Sequence, residues 1–368
     1  DSRRLWVESL LVQTGGDRLE ASGQYQWGQA PRLDLKVRGQ LADWRSLAGW
    51  RLAGAPPPEP VDYRLEASGP LTACQVKAGL KAAGGSLDLS GRVNLDQPAL
   101  EVKARFADLD LARLGLSPQP VGLGGELELA GQGWPGETNS QARLGVALDQ
   151  AIWRDWRAQR LDLRLAWEGG RCRVEALELN SGRGRISATG ELTAPPAPAG
   201  SPAAWRAQGQ VAFQDLALPP ELLATLPEPL RQARLNGVLR GQGELEAAGA
   251  AELELELERS PLAPDLELTS LRASGGRQAG QWRLSALELT APGLGLQAQG
   301  RADAQGADLE WELACTDLAR LRPAVALWWE QAPPVLAGAL QARGVLRGPW
   351  SGPALEVGAQ AQDLDLGR

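Results

Sequence analysis

The sequence predicts an all-β fold: a long antiparallel repeat sheet with a few short helices, curled into an elongated open groove. Three observations carry that expectation. Leucine and glutamate alternate strictly over Glu252-Leu-Glu-Leu-Glu-Leu-Glu258. The same two-residue period returns along the whole chain, and glycine turn signals fall every ten residues or so. Successive side chains of a strand point to opposite faces, so each run has one apolar face and one wet face.

Taken in chain order, the recurrences are Leu33-Asp-Leu-Lys-Val37, Leu87-Asp-Leu89, Glu126-Leu-Glu-Leu129, Leu161-Asp-Leu-Arg-Leu-Ala-Trp167 and Leu177-Glu-Leu179. They continue as Leu266-Glu-Leu268, Leu287-Glu-Leu289, Leu309-Glu-Trp-Glu-Leu313 and Leu355-Glu-Val357. Glycines such as Gly15-Gly16, Gly23, Gly84-Gly85, Gly91, Gly131, Gly169-Gly170, Gly237, Gly300 and Gly344 read as punctuation between these runs. Period-2 runs separated by turn residues describe a meander. No long amphipathic helices alternate with the strands, which disfavours a parallel βαβ sheet. Short helical pieces are expected near 43–52, 219–232 and 317–331, where leucines recur at three- and four-residue spacing. Val325-Ala-Leu-Trp-Trp329 is the most hydrophobic of these, and reads as a helix capping one end of the sheet rather than as an element that touches a membrane.

A longer repeat overlies the alternation. Gly91-Arg and Gly300-Arg each reach a leucine nine residues on, Leu100 and Leu309, and then an Asp-Leu pair, Asp108-Leu109 and Asp317-Leu318. Ala-Arg-Leu follows both, at 112–114 and 319–321. Looser copies run through Asp215-Leu-Ala-Leu218 and Asp363-Leu-Asp-Leu366. The strand pattern is the same on both sides of the Pro-rich stretch 194–204. Residues 1–368 are therefore read as one continuous repetitive segment of a longer protein, and a subdivision at 194–204 is the alternative.

Composition narrows the function classes. The 368 residues are 43% hydrophobic and 23% charged, with a net charge of −7 and no basic region, so an ordered protein without a nucleic-acid partner is expected. There is no histidine, which removes His-based nucleophilic triads, His general bases and histidine–zinc sites. The three cysteines, Cys74, Cys172 and Cys315, are far apart and read as small core residues rather than as a disulfide or metal set. Gly182-Arg-Gly-Arg185 lacks the ending of a phosphate loop. The expectation is no catalysis, no cofactor and no metal. The chain begins Asp1-Ser2-Arg3-Arg4 without methionine, so any anchor is expected outside it.

The phrase strand, Gly, strand, Pro-x-Leu-x-Val, Asp-Leu-x-Leu resembles the AsmA-like/TamB family of Gram-negative bacteria. The nearest stretches are Gly85-Ser-Leu-Asp-Leu-Ser-Gly91 through Leu114, and Gly348-Pro-Trp-Ser-Gly-Pro353-Ala-Leu-Glu-Val357 followed by Asp363-Leu-Asp-Leu366. The resemblance implies a middle segment of a periplasmic, inner-membrane-anchored protein. It implies a groove that conducts phospholipids between inner and outer membrane, reached through parts beyond this segment.

The apolar face then becomes the candidate site. Its expected lining is Leu33, Leu35, Val37, Leu100, Val102, Leu161, Leu163, Leu165, Leu253, Leu255, Leu257, Leu309 and Leu313, with Trp167 and Trp311 continuing two of the faces. The partner is phospholipid. A closed sandwich core explains the alternation equally well, so the pattern alone leaves groove and sandwich open. Two other readings stand beside the conduit: a scaffold for outer-membrane protein assembly acting through open sheet edges, and a structural secreted repeat protein.

Overall fold

A computed structural model describes residues 3–42, 59–82, 84–114, 117, 121–133, 140–153, 156–194, 205–217, 228–245, 249–263, 266–278, 281–303, 305–322 and 335–367. The fold is all-β. Its main antiparallel sheet holds 21 strands, and a two-stranded hairpin stands apart from it. The chain divides into two units, Asp1–Gly182 and Arg183–Arg368.

The first unit is an eleven-stranded meander: β1 (Arg3–Thr14), β2 (Asp17–Trp27), β3 (Arg32–Leu41), β4 (Val61–Pro70), β5 (Cys74–Ala82), β6 (Gly85–Asn94), β7 (Ala99–Asp110), β8 (Val121–Gln132), β9 (Gln141–Trp153), β10 (Trp156–Glu168) and β11 (Arg171–Ser181). Each strand pairs antiparallel with the next. Short glycine turns such as Gly15-Gly16 and Gly169-Gly170 make sequential pairing the low-entropy solution.

In the second unit, β12 (Gly184–Thr193), β13 (Arg206–Ala217), β14 (Arg234–Glu244) and β15 (Ala251–Leu257) continue the same style. The hairpin β16 (Ser260–Ala263) and β17 (Leu266–Leu268) follows. After it come β18 (Ser270–Gln278), β19 (Gln281–Ala291), β20 (Leu294–Ala302), β21 (Gly306–Cys315), β22 (Val335–Pro349) and β23 (Ala354–Gly367). Here β15 pairs with β18, so the hairpin is looped out of the ladder. Among the described residues β1 pairs only with β2, and β23 only with β22; the sheet is not closed into a barrel.

Two expectations need correcting. Leu266-Glu-Leu268 is not a rung of the main sheet but half of the looped-out hairpin, because Pro261 and the residues around it cannot continue a central ladder. Most of the glycines read as punctuation lie inside strands: Gly23, Gly91, Gly131, Gly237, Gly300 and Gly344 are all ladder residues. Short 3-10 turns cover Leu71–Ala73, Glu228–Gln232 and Leu318–Leu321, and Arg322 is α-helical; the rest of the expected pieces at 219–232 and 317–331 lies outside the described residues. The expected helix at 43–52, the segment 325–329, and the Pro-rich stretch beyond Ala194 lie outside the described residues.

Strands of alternating direction give each unit two margins of turns. In the first unit one margin carries 28–31, 71–73, 95–98 and 169–170; the other carries 15–16, 84 and 111–114. The second margin is packed. Val61, Ala82, Leu109 and Leu114 form a buried cluster there, with Leu80, Leu87, Phe106 and Leu111 against it. Arg113 clamps it with a two-pronged ion pair to Glu59, Nε to Oε1 at 2.8 Å and Nη2 to Oε2 at 3.0 Å.

Candidate functional site

Residues paired across an antiparallel ladder share a face, so the registers assign every strand residue to a side. In the first unit one cross-strand row reads Val37, Leu65, Ala78, Leu89, Ala104, Leu127, Val146, Leu163, Leu177. One residue over, the opposite face reads Lys36, Glu66, Lys77, Ser90, Lys103, Glu128. Nine strands therefore contribute to one unbroken apolar row, backed by a charged one.

The second unit repeats the arrangement by itself. Its row runs Val211, Leu239, Leu255, Ala273, Leu287, Ala298, Trp311, Gly344, Val357. The glutamates of the 252–258 run face the other way: Glu254 is opposite Arg240 and Glu256 is opposite Arg272.

All thirteen expected lining residues fall on these apolar faces. Leu33, Leu35, Val37, Leu100, Val102, Leu161, Leu163 and Leu165 share the face of the first unit. Leu253, Leu255, Leu257, Leu309 and Leu313 share that of the second. Trp167 pairs with Ala142 and Cys172 on the first face, and the Trp311 ring lies over Gly344 on the second. The sequence list omitted Leu65, Leu89, Leu127 and Val146, which sit between the expected residues. The signal for them was present, since each belongs to an alternating run.

The face is not covered as a sandwich core would be. Val37, Leu65, Leu89, Leu127, Val146, Leu163 and Leu177 are all half-buried, and only the small Ala104 in their row is buried. Lateral neighbours on a sheet shield a leucine by about this much; a second layer buries it. Leu100 and Leu253 are 38% and 41% exposed.

Strand glycines on this face have no room for a side chain. A Cβ on Gly23 would meet the Asp34 carbonyl oxygen at 2.3 Å, and one on Gly237 would meet that of Glu256 at 2.1 Å. On the charged face, Gly145 and Gly358 have nothing closer than 3.9 Å. Bulges are a device that curves a sheet. Register shifts occur in β1–β2, β7–β8, β13–β14 and β19–β20, among others.

The charged face is a lattice of exposed ion pairs. Lys103 Nζ donates to Glu128 at 2.6 Å, Arg64 to Asp88 at 2.9 Å and Arg347 to Asp308 at 3.1 Å. The Arg240 hydrogen bond, helped by the charge of Arg272, holds the Glu256 carboxyl below its ordinary range. Glu128 raises the Lys103 ammonium in the same way. Hollows of about 640, 500 and 820 Å³ lie against this face. The last is walled by Arg64, Lys77, Lys103, Arg105, Glu126 and Glu128, whereas the first two mix Glu288, Glu312 and Arg343, or Arg92, Glu168 and Arg173, with Ala, Gly, Leu and Trp. Among the described residues no group of three or more Cys, Asp or Glu could hold a metal ion, and no helix is long and apolar enough to cross a membrane.

No family model, curated protein or solved structure matches this chain. The geometry therefore speaks alone. It offers a broad, non-directional apolar surface in each unit, with no convergent polar groups at its centre. Such a surface holds flexible apolar ligands by area, at about 0.8 kcal/mol per buried methylene.

Proposed function

We propose that the chain shelters phospholipid acyl chains on its apolar face, as a segment of an inner-membrane-anchored periplasmic protein that conducts lipid between the two membranes. The observation that supports this reading is the unbroken cross-strand apolar row of each unit, left half-exposed. An apolar row of this length in water calls for an apolar occupant. The bulges support a sheet curled around that occupant. Contacts without direction let a tail slide, which a conduit needs. The repeat style that resembles the AsmA-like/TamB family supports the same reading. The test is organic extraction of the purified chain followed by mass spectrometry: co-purifying diacyl phospholipid is expected, and a lipid-free, monodisperse protein contradicts the proposal.

A second reading has its own observation. Strand β1, paired only with β2 among the described residues, is exposed along all twelve residues and is apolar on both faces: Val7 and Leu10 share the face of Gly23 and Ala21, while Trp6 and Leu11 share that of Gln24 and Glu20. An open edge of that kind accepts a further strand. A scaffold role in outer-membrane protein assembly would use it. Crosslinking from β1 tests this: adducts to nascent barrel strands support it, and lipid adducts alone contradict it.

A further inference from the structure

The apolar face of the second unit, considered by itself, changes in character along its strands. Across β15, β18, β19, β20 and β21 the registers give four successive rows on that face. At one end the row is Leu257, Leu271, Leu289, Leu296, Leu313: a leucine on each of the five strands. The next is Leu255, Ala273, Leu287, Ala298, Trp311, and after it Leu253, Gly275, Leu284, Gly300, Leu309. The fourth row is Ala251, Arg277, Trp282, Ala302, Ala307. Of the charged residues that the registers pair in this unit, Arg277 alone lies on the apolar face.

The two ends of these strands differ in packing as well. Beyond the leucine row the face is closed: Cys315, Leu318 of the 3-10 turn and Leu268 of the looped-out hairpin are all buried. At the other end Arg277 and Trp282 stand among small residues. Their row carries Ala on the remaining three strands, and Gly243 and Gly348 extend it on either side. Small side chains lie low on a sheet, so the guanidinium and the indole are the tallest groups there.

Arg277 is half-buried and held in place. Its Nε and Nη2 both donate to the Gly249 carbonyl, at 3.4 and 3.2 Å, and its Cζ lies 5.9 Å from the centroid of the Trp282 ring. That is within the range of a cation–π contact. A guanidinium on an apolar face loses part of its hydration, and an anion beside it offsets that cost. With five N–H donors it can serve such an anion and keep the Gly249 bond.

We infer that this face holds a phospholipid in one orientation, with the acyl chains toward the leucine row and the headgroup phosphate on Arg277. This rests on the lipid-sheltering reading above and adds to it a polarity and a headgroup contact. The planar guanidinium fork matches a phosphate with two parallel hydrogen bonds. The Trp282 indole, apolar in body and polar at one tip, suits the boundary between headgroup and chain. The dimensions agree: Leu271 to Arg277 spans about 20 Å of strand at about 3.3 Å per residue. One leaflet of a bilayer's hydrocarbon core is about 15 Å deep.

The test is binding of a tail-labelled fluorescent phosphatidylglycerol by the full 368-residue chain, beside a diacylglycerol with the same two chains. The wild type is expected to bind the phospholipid more tightly. Arg277→Gln is expected to weaken phospholipid binding by about tenfold and to leave diacylglycerol binding unchanged. Arg277→Lys keeps the charge and loses the fork; a smaller loss, again confined to the phospholipid, is expected. Arg283→Gln removes the same charge from the opposite face of the neighbouring strand and should change neither affinity. Far-ultraviolet circular dichroism checks that each variant is folded. Phospholipid affinity unchanged in both Arg277 variants, or an equal loss of both lipids, overturns the inference. If the wild type binds both lipids in those cases, the sheltering reading stands without it; if it binds neither, both fall.

Discussion

Gly85 faces the main chain of Asp108 so closely that a Cβ on the glycine would lie 2.5 Å from the aspartate carbonyl oxygen. Asp108 itself holds φ +52°, in the left-handed region. The pairing recurs at Gly184 with Asp215 and at Gly338 with Asp363, at 2.5 and 2.6 Å, with φ +53° and +51°. Each aspartate marks a register shift in its ladder. The repeat's Asp-Leu step is thus a bulge opposite a glycine.

Substitution should separate the two halves of that device. Gly184 also holds φ +119°, so Gly184→Ala meets both backbone strain and a collision. A loss of about 2–4 kcal/mol is expected. Asp215→Gly should be neutral within about 0.5 kcal/mol, whereas Asp215→Val should lose about 1–2 kcal/mol. Denaturant midpoints at unchanged m-value measure this.

Asn236 ties the same bulge to the looped-out hairpin. Its Oδ1 accepts from the Asp215 N–H at 2.7 Å, its Nδ2 donates to the Arg259 carbonyl at 2.8 Å, and its own N–H donates to the fully buried Ser260 Oγ at 3.0 Å. Asn236→Ala removes two hydrogen bonds to exposed backbone groups, at about 0.5–1.5 kcal/mol each. Hydrogen exchange should accelerate across 259–268 and at Asp215, while β19–β21 stay protected.

The ion-pair lattice gives a pH dependence with a fixed sign. The hydrogen bond from Arg38, followed by that from Arg18, lowers the Glu20 carboxyl below its ordinary value, and Arg240 does the same to Glu256. A carboxyl depressed in the folded state contributes stability above its unfolded value, and that contribution is lost as pH falls through the folded one. Both groups are solvent-exposed, so the effect should be modest and blunted by salt. Thermal melting from neutral to acidic pH should show a decline that starts in the ordinary glutamate range. Glu20→Gln with Glu256→Gln should flatten it.

The two-faced edge strand should make the chain self-associate. Trp6 is 77% exposed and Leu11 53%, on the otherwise polar side of β1. Charge on an edge blocks strand addition. Trp6→Lys with Leu11→Lys should therefore lower the weight-average mass seen by sedimentation at high protein concentration, without changing the melting temperature.

The alternation made the faces legible, because a period of two fixes side-chain direction before any pairing is known. Leu253, Leu255 and Leu257 share a face as their spacing requires. What was not legible was the punctuation. Glycine in a turn and glycine in a kinked strand look alike in sequence, so Gly23 and Gly237 read as breaks when they are rungs. The hairpin at 260–268 was hidden for a similar reason: Leu266-Glu-Leu268 has the right alternation but too few residues to span the sheet. The repeat comparison matched Asp108 with Asp317 by spacing, yet the structural counterparts of Asp108 are Asp215 and Asp363. Asp317 is extended, and caps a 3-10 turn by accepting from the Ala319 N–H.

The account turns on which face meets lipid. A photoreactive residue placed at Leu163 or Leu255, with Arg164 and Glu254 as controls one residue over, reads this directly in the purified chain mixed with phospholipid vesicles. Phospholipid adducts at the two leucine positions, and none at the charged ones, are the predicted result. Adducts on both faces alike, or protein adducts only, would contradict a lipid-sheltering apolar face.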